Sequence, residues 1–405
     1  MTGALQGEGN VQHRILKIAP TSFFADYGCH VRIYEETRVL QKLGQRVVIC
    51  TYHAGRDLPG LDIRRAPGPR QVRVGSTHHK LYYDILLGLR ATSVALAWRP
   101  TIIHAHLHEG ALLGFPLSRL LGVPLVFDFQ GSLTSEMLDH GFIRRDSLLF
   151  GPLSRLERLI NRGAHRIITS SHNAAGILVN GFSSPPGRVT TLADSVDTDL
   201  FQPRTDPAEA AAVRGLRQRL GIPEGRCLVV YLGLLAGYQG TGLLLEAAAQ
   251  LAALGVPVHF LIMGFPGEDA YRAQAREMGL EGCTTFTGPV PYEDAPLYLA
   301  AGDLAVSPKV SETEGNGKLL NYMACGLPTV AFDTPVAHEI LGDLGCYAKT
   351  GDATDLARAL RVLLEDLSLR QQLARRLRAR AVSCFSWDAA GRRLVEIYDE
   401  LTGRL

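Results

Sequence analysis

The chain predicts an α/β protein built from two Rossmann-like, doubly wound parallel-sheet domains that face each other across a cleft. Three observations lead there. The 405 residues suffice for about two domains. Between Arg14 and Thr51 a strand, a loop, a helix and a second strand follow one another, the opening unit of a doubly wound sheet. The same succession begins again at Cys227 and runs to Gly264.

Composition narrows the class. Apolar residues make up 46% of the chain, enough for two packed cores. A net charge of +2 gives no reason to expect a nucleic-acid partner. Seven cysteines lie scattered without a Cys-x-x-Cys pair. That suits buried, reduced thiols in a cytoplasmic protein rather than a disulfide framework or a zinc site. Residues 1–12 lack the apolar run of a signal peptide. The longest apolar stretch, Tyr82 to Trp98, is interrupted by Asp84 and Arg90, so no segment is expected to span a membrane.

In order, Arg14–Ile18 reads as the first strand and Val31–Leu43 as a helix with Ile33, Thr37, Leu40 and Leu43 on one face. Gly44 ends it and Arg46–Thr51 is the next strand. The loop between them, with Gly28 and His30, sits at a strand's carboxyl end, where such folds bind ligands. His30 there is a phosphate donor or simply a helix-start histidine. Thr101–His106 is a strand ending in histidines. His104, His106 and His108 alternate, so a continued strand would turn them to one face. No fourth ligand stands near beyond Glu109, so the expectation is a polar cluster at the cleft and no metal. Gly122–Gly131 is a strand leading into a turn. Arg144–Arg166 is a basic amphipathic helix, with Leu149, Leu153, Leu156 and Ile160 on one face and Arg155, Arg158 and Arg162 on another. It is either a solvated face or a surface for anionic membrane. Arg166–Ser171 and Arg188–Leu192 are further strands. Residues 204–221 suit a helix between the domains.

In the second half, Leu228–Gly233 and Val258–Gly264 are strands around a helix at Leu243–Leu254. Residues 355–380 form one or two helices, and Phe385-Ser386-Trp387 opens a final one. The segment Ser307–Pro328 is the most informative. An apolar run ends there, a polar turn holds Gly315 and Gly317, and a helix follows with Leu319, Leu320, Met323 and Ala324 apolar, stopped by Gly326 and Pro328. A strand, a glycine loop and a helix start suit a phosphate or sugar diphosphate. The same pattern also serves as a plain buried connection. Lys318 adds a cation, and Glu312 and Glu314 add acceptors for sugar hydroxyls.

This segment resembles the signature of the group 1 glycosyltransferases, the retaining nucleotide-sugar enzymes of family four with the GT-B fold. Ser307-Pro308, Glu314-Gly315-Asn316-Gly317 and Met323-Ala324-Cys325-Gly326-Leu327-Pro328 match it in order. The strand ending His104-Ala105-His106, the connector Ala193–Pro203 and the loop Thr284–Pro291 resemble other parts of the family pattern, so the likeness covers nearly the whole chain. It implies an acceptor-side domain over residues 1–200, a nucleotide-sugar domain over 201–382, and a helix over 383–405 crossing back to the first. It implies sugar transfer from a nucleotide-sugar donor to a glycan, lipid-linked or small-molecule acceptor with retention, without metal or cofactor. Asp197-Thr198-Asp199 falls in the linker and is not a metal motif.

The resemblance also assigns a site. On the donor side stand Gly233, Gln239, Gly264, Gly288, Val290, Asn316, Gly317, Lys318, Leu319 and Asn321. Gly28, His30 and His106 lie on the acceptor or diphosphate side. Glu312 or Glu314 would bond the sugar, with Gln130 at the place of the family's donor-contacting histidine. Four positions depart from the pattern. Gln130 replaces that histidine and Asn321 the second glutamate. Leu234 and Gln239 replace the arginine and lysine that neutralise the donor diphosphate. Lys309 and Lys318, two of six lysines, border the glycine loop and are candidates to take over that charge. A catalytically impaired homologue that binds a sugar nucleotide or a protein, and a sugar-nucleotide epimerase, are the alternatives.

Overall fold

The computed structural model describes residues 12–25, 28–68, 80–139, 143–204, 206–311 and 315–404. The first sheet has seven strands: β1 (Arg14–Ala19), β2 (Arg46–Thr51), β3 (Asp62–Arg65), β4 (Ile102–His106), β5 (Leu125–Phe129), β6 (Arg166–Thr169) and β7 (Val189–Thr191). Their order is β3-β2-β1-β4-β5-β6-β7. The second has six: β8 (Cys227–Leu232), β9 (Val258–Met263), β10 (Thr284–Gly288), β11 (Leu304–Ser307), β12 (Thr329–Phe332) and β13 (Cys346–Ala348), ordered β10-β9-β8-β11-β12-β13. The neighbours pair in parallel throughout. Both sheets therefore reverse direction once, between β1 and β4 and between β8 and β11. The loops leaving those four strands open a crevice in each domain, and the two crevices meet.

Most strands are buried on both faces, as helices covering a parallel sheet require. In the first sheet the two faces differ in chemistry. Leu16, Ile18, Ile103, Ala105 and Phe127 pack under helices Lys80–Trp98, Leu107–Leu121 and Phe150–Gly163. The alternate positions carry Lys17, His104, His106 and Asp128, all fully buried. Register puts them together: Lys17 lies opposite His104, and His106 opposite Asp128.

Helix Trp387–Thr402 docks on the first domain. Tyr398 Oη meets His104 Nδ1 at 2.6 Å, Asp399 meets His13 at 2.8 Å and Glu400 meets Arg166 at 2.9 Å. The backbone N–H of Val196 donates to Phe385 O at 2.8 Å.

Several elements differ from the sequence reading. The first helix starts at Gly28 rather than Val31. The basic helix begins only at Phe150. Thr284–Gly288 is a strand, not a loop. β3, β12 and β13 carry no sequence expectation at all. Each has only three or four residues, too few for a periodicity to show. Among the described residues no helix is long and apolar enough to cross a membrane.

Candidate active site

A cavity of about 430 Å³ lies where the two crevices meet, lined by both domains. The first domain contributes Gly28, Arg32, Leu107, Gln130, Glu136 and Asp194. The loop after β1 is shaped by His30. Its Nδ1 accepts from the Ala25 N–H at 2.7 Å and its Nε2 bonds the Thr21 hydroxyl. The ring is fully buried, and burial pulls its pKa down to about 3. His30 therefore braces the loop from inside while Gly28 faces the cleft. It is not a phosphate donor in this arrangement.

The histidine alternation also resolves differently. Leu107 adopts φ 61° and ends the strand. His108 consequently swings to the opposite face, its ring 5.2 Å from Phe127 and 5.4 Å from Phe129. His104 and His106 stay together, stacked at 4.7 Å. With Glu36 they offer three ligand atoms within 4.8 Å of one another. One atom of each already has a protein partner, however, while Glu36 Oε2, His104 Nε2 and His106 Nε2 have none. Glu36 takes the Lys17 ammonium at 2.6 Å, and His106 Nδ1 bonds Asp128 at 2.8 Å. His104 is held neutral, its pKa pulled to about 3 by burial against the opposing pull of Glu36. A second cation beside Lys17 would meet direct repulsion.

Asp128 is the junction of this buried chain. Arg32 contacts it through Nε at 3.0 Å and Nη2 at 3.0 Å, and reaches Asp194 through Nη1 at 2.5 Å. The Gln130 amide donates to Asp128 at 2.8 Å. Burial disfavours the Asp128 carboxylate, but Arg32 and His106 outweigh it and hold its pKa well below the ordinary value. Arg32 is likewise kept charged, because two carboxylates more than offset its burial. In the sequence reading Asp128 and Asp194 fall within the segments Gly122–Gly131 and Ala193–Pro203 without a role of their own, and Arg32 has none either. The three come from distant segments, and no local spacing marks them as partners. His106 itself lies behind Asp128, away from the cavity lining.

The second domain builds its wall from backbone. Gly233 N donates to Met263 O at 3.0 Å and Gly264 N to Gly288 O at 2.9 Å, which ties the ends of β8, β9 and β10 together. A Cβ on Gly264 would stand 1.8 Å from Gly233 O, and one on Gly240 1.8 Å from Pro308 O. Gly240 also holds φ 75°, a conformation glycine tolerates best. The loops after β8 and β11 thus press together, joined further by Val310 N donating to Tyr238 O at 3.0 Å. Val290 lines the cavity, whereas Gly288 acts through its carbonyl.

Across this seam lies Lys318. Its Nζ donates to Gln239 Oε1 at 2.7 Å and sits 4.6 Å from the Tyr231 ring centroid. Lys309 Nζ donates to Gly315 O at 2.7 Å. Asn316 bonds Ser307 Oγ at 3.1 Å, which fixes the start of the glycine loop. Asn316, Gly317, Lys318 and Asn321 line the cavity. Leu319 does not: it is fully buried, and its N–H donates to Asn316 O at 3.0 Å. Glu312 and Glu314 lie outside the described residues.

Two family models match the chain. One, described as "Glycosyl transferase 4-like domain", covers residues 27–194, and the other, "Glycosyl transferases group 1", covers residues 226–366. The chain belongs to the group 1 glycosyltransferases. Its relatives include D-inositol 3-phosphate glycosyltransferase of Salinispora tropica, 28% identical over 92% of this chain and 81% of that protein. Another is 2-deoxystreptamine glucosyltransferase of Streptomyces kanamyceticus, 28% identical over 83% of this chain and 89% of the relative. Among solved structures, sucrose-phosphate synthase from Thermosynechococcus elongatus superposes with a TM-score of 0.83 at 19% identity, covering 97% of this chain and all of the other. Anabaena HepE in complex with UDP-glucose gives 0.77 at 18% over 96% of this chain. These likenesses establish the GT-B fold for this glycosyltransferase, with its cavity between the two domains.

Proposed function

We propose that this glycosyltransferase takes its sugar from a nucleotide-sugar donor held on the second-domain wall, with retention at the anomeric carbon and without metal or cofactor. The observation that carries the reading is Lys318 on Gln239. The family's diphosphate-neutralising lysine is missing at 239, yet an ammonium group reaches that place from the neighbouring glycine loop. A leaving diphosphate gains negative charge in the transition state, and a pre-positioned cation stabilises it. Lys309 adds charge to the same wall. A donor phosphate oxygen serves as base toward the acceptor hydroxyl, so the protein's main task is positioning. HepE, a structural neighbour, is described with UDP-glucose bound, which supports a donor of this class.

The acceptor enters from the first-domain side. The charge of Arg32 is matched by Asp128 and Asp194, and Glu136 and Gln130 line the same wall. That chemistry favours a neutral or cationic, hydroxyl-bearing acceptor face over an anionic one. The deoxystreptamine-directed name of one relative fits a polyhydroxylated ring of that charge, free or as part of a glycan or lipid-linked acceptor. The cysteines are all unpaired, which suits the reducing cytoplasm.

Thermal unfolding against a metal-free panel of nucleoside diphosphates and their sugar conjugates tests the donor assignment, because a ligand specific for the folded state raises Tm. One base should produce a clear shift. Lys318→Met should weaken that ligand about 10- to 100-fold, the loss of one charge-assisted contact of roughly 1.5–3 kcal/mol. A well-folded protein that responds to no member of the panel would overturn the reading and leave an impaired homologue.

A further inference from the structure

We infer that the outer helical face of the first domain is a docking surface for an anionic lipid bilayer. Twelve of the sixteen large apolar side chains that stand exposed among the described residues fall between Leu81 and Leu159. They ride on helices Lys80–Trp98, Leu107–Leu121 and Phe150–Gly163 and on the residues just before the last of these. The three helices pack side by side over one face of the sheet. Gly88 comes close to Leu113, and Gly163 to Phe115, so the exposed residues share one surface. Leu89 is 65% exposed, Leu120 66%, Leu159 67% and Leu148 94%. A contiguous apolar patch on an otherwise ordinary soluble surface marks an interaction site.

The charges say what covers it. Arg99, Arg119, Arg144, Arg145, Arg155 and Arg162 are exposed around these leucines. The acids of the same helices are turned to internal work. Asp84 accepts from Tyr52 Oη at 2.5 Å, Glu109 pairs with Lys80, and buried Glu157 accepts from Thr134 N at 2.9 Å. Of the acids near the patch, Asp146 is the exposed one, beside Arg144 at 3.3 Å. The surface therefore presents leucine and arginine with little opposing charge. A second copy packed on it by a twofold axis would set arginine rows against arginine rows. An anionic bilayer instead accepts the leucines at its acyl boundary and the guanidinium groups at its phosphates. Helix Leu107–Leu121 starts in the cavity lining at Leu107. Leu112 lies five residues on, about 8 Å along the axis, so the docked face adjoins the acceptor side of the cleft.

Co-sedimentation of the full chain with phosphatidylcholine vesicles, with and without phosphatidylglycerol, tests the surface. Binding should require phosphatidylglycerol and weaken with salt. Leu148→Gln with Leu159→Gln should abolish it without shifting Tm, since these side chains are 94% and 67% exposed. Arg155→Gln with Arg162→Gln should weaken it about tenfold or more. Absence of binding at every lipid composition, equal binding to neutral vesicles, or binding untouched by both double substitutions would each overturn the inference. So would a dimer in solution that the leucine pair dissociates, because the face would then belong to a second copy.

Discussion

The two walls of the cleft are made rigid by different means. The first-domain wall rests on buried charge: Lys17, Glu36, His104, His106, Asp128, Arg32 and Asp194 form a continuous chain behind it. The second-domain wall rests on close backbone approach, with glycines at 240 and 264 where a side chain has no room. A charge chain fails when one member is removed, because its partners stay buried without compensation. A glycine seam fails when one atom is added. The comparison teaches that opposite substitutions, deletion on one wall and addition on the other, should damage the same cavity.

The largest effect should come from Arg32→Met. It strands Asp128 and Asp194 and should cost about 3–5 kcal/mol, read as a fall in the urea midpoint. Adding Asp128→Asn to it should recover part of that loss, since the two sites share a contact. Full additivity would break the view of these residues as one unit. Gly240→Ala comes next. Steric overlap with Pro308 O and the positive φ together should cost about 2–4 kcal/mol, and donor binding should weaken along with stability.

The contact between the walls has its own signature. Tyr292 of the second domain donates to Glu35 of the first at 3.0 Å. Burial, reinforced by Asp197, pushes the Glu35 carboxyl up to about 7 from an ordinary 4.5, with Tyr292 and Arg38 opposing. The folded protein then holds a proton that the unfolded chain has released. Stability should fall as pH rises from about 4.5 through about 7, by about 3 kcal/mol in total. Glu35→Gln should flatten that part of the profile in urea titrations across the range. Smaller for the fold is Lys318→Met, which should leave the unliganded Tm nearly unchanged while donor affinity drops. A large loss of stability there would show that Lys318 serves the seam rather than a ligand. At the bottom stands Lys42→Gln. Lys42 and Asp388 pair at 2.9 Å with both side chains more than half exposed, and no resolvable Tm change is expected.

The readable and unreadable parts of the site divide along the same line. The glycine loop was legible because its chemistry is local: a strand, Gly315, Gly317, a short helix and the Gly326 stop follow one another within one segment. The charge chain was not. Lys17, Arg32, His106, Asp128 and Asp194 stand on four elements and a linker, and each looks like an ordinary polar residue in its own segment. The alternating histidines misled for a local reason, since a single residue at positive φ, Leu107, ends the alternation before His108. The replaced lysine at Gln239 read as a loss, with Lys309 and Lys318 as the candidates to make it good. Only folding shows Lys318 reaching that side chain from seventy-nine positions away.

The amino-acid order by itself determined the class of the fold: two rounds of strand, glycine turn and helix, with strands apolar enough for burial on both faces. It also determined which backbone segments line a ligand cleft, because glycine and helix-stop residues act through neighbours a few positions away. The tertiary structure alone decided which charges meet. Register aligned His106 with Asp128, the connector carried Asp194 to Arg32, and the last helix brought Tyr398 to His104. Electrostatic partnership depends on distance in space and on burial, and neither quantity is a property of neighbouring residues in the chain.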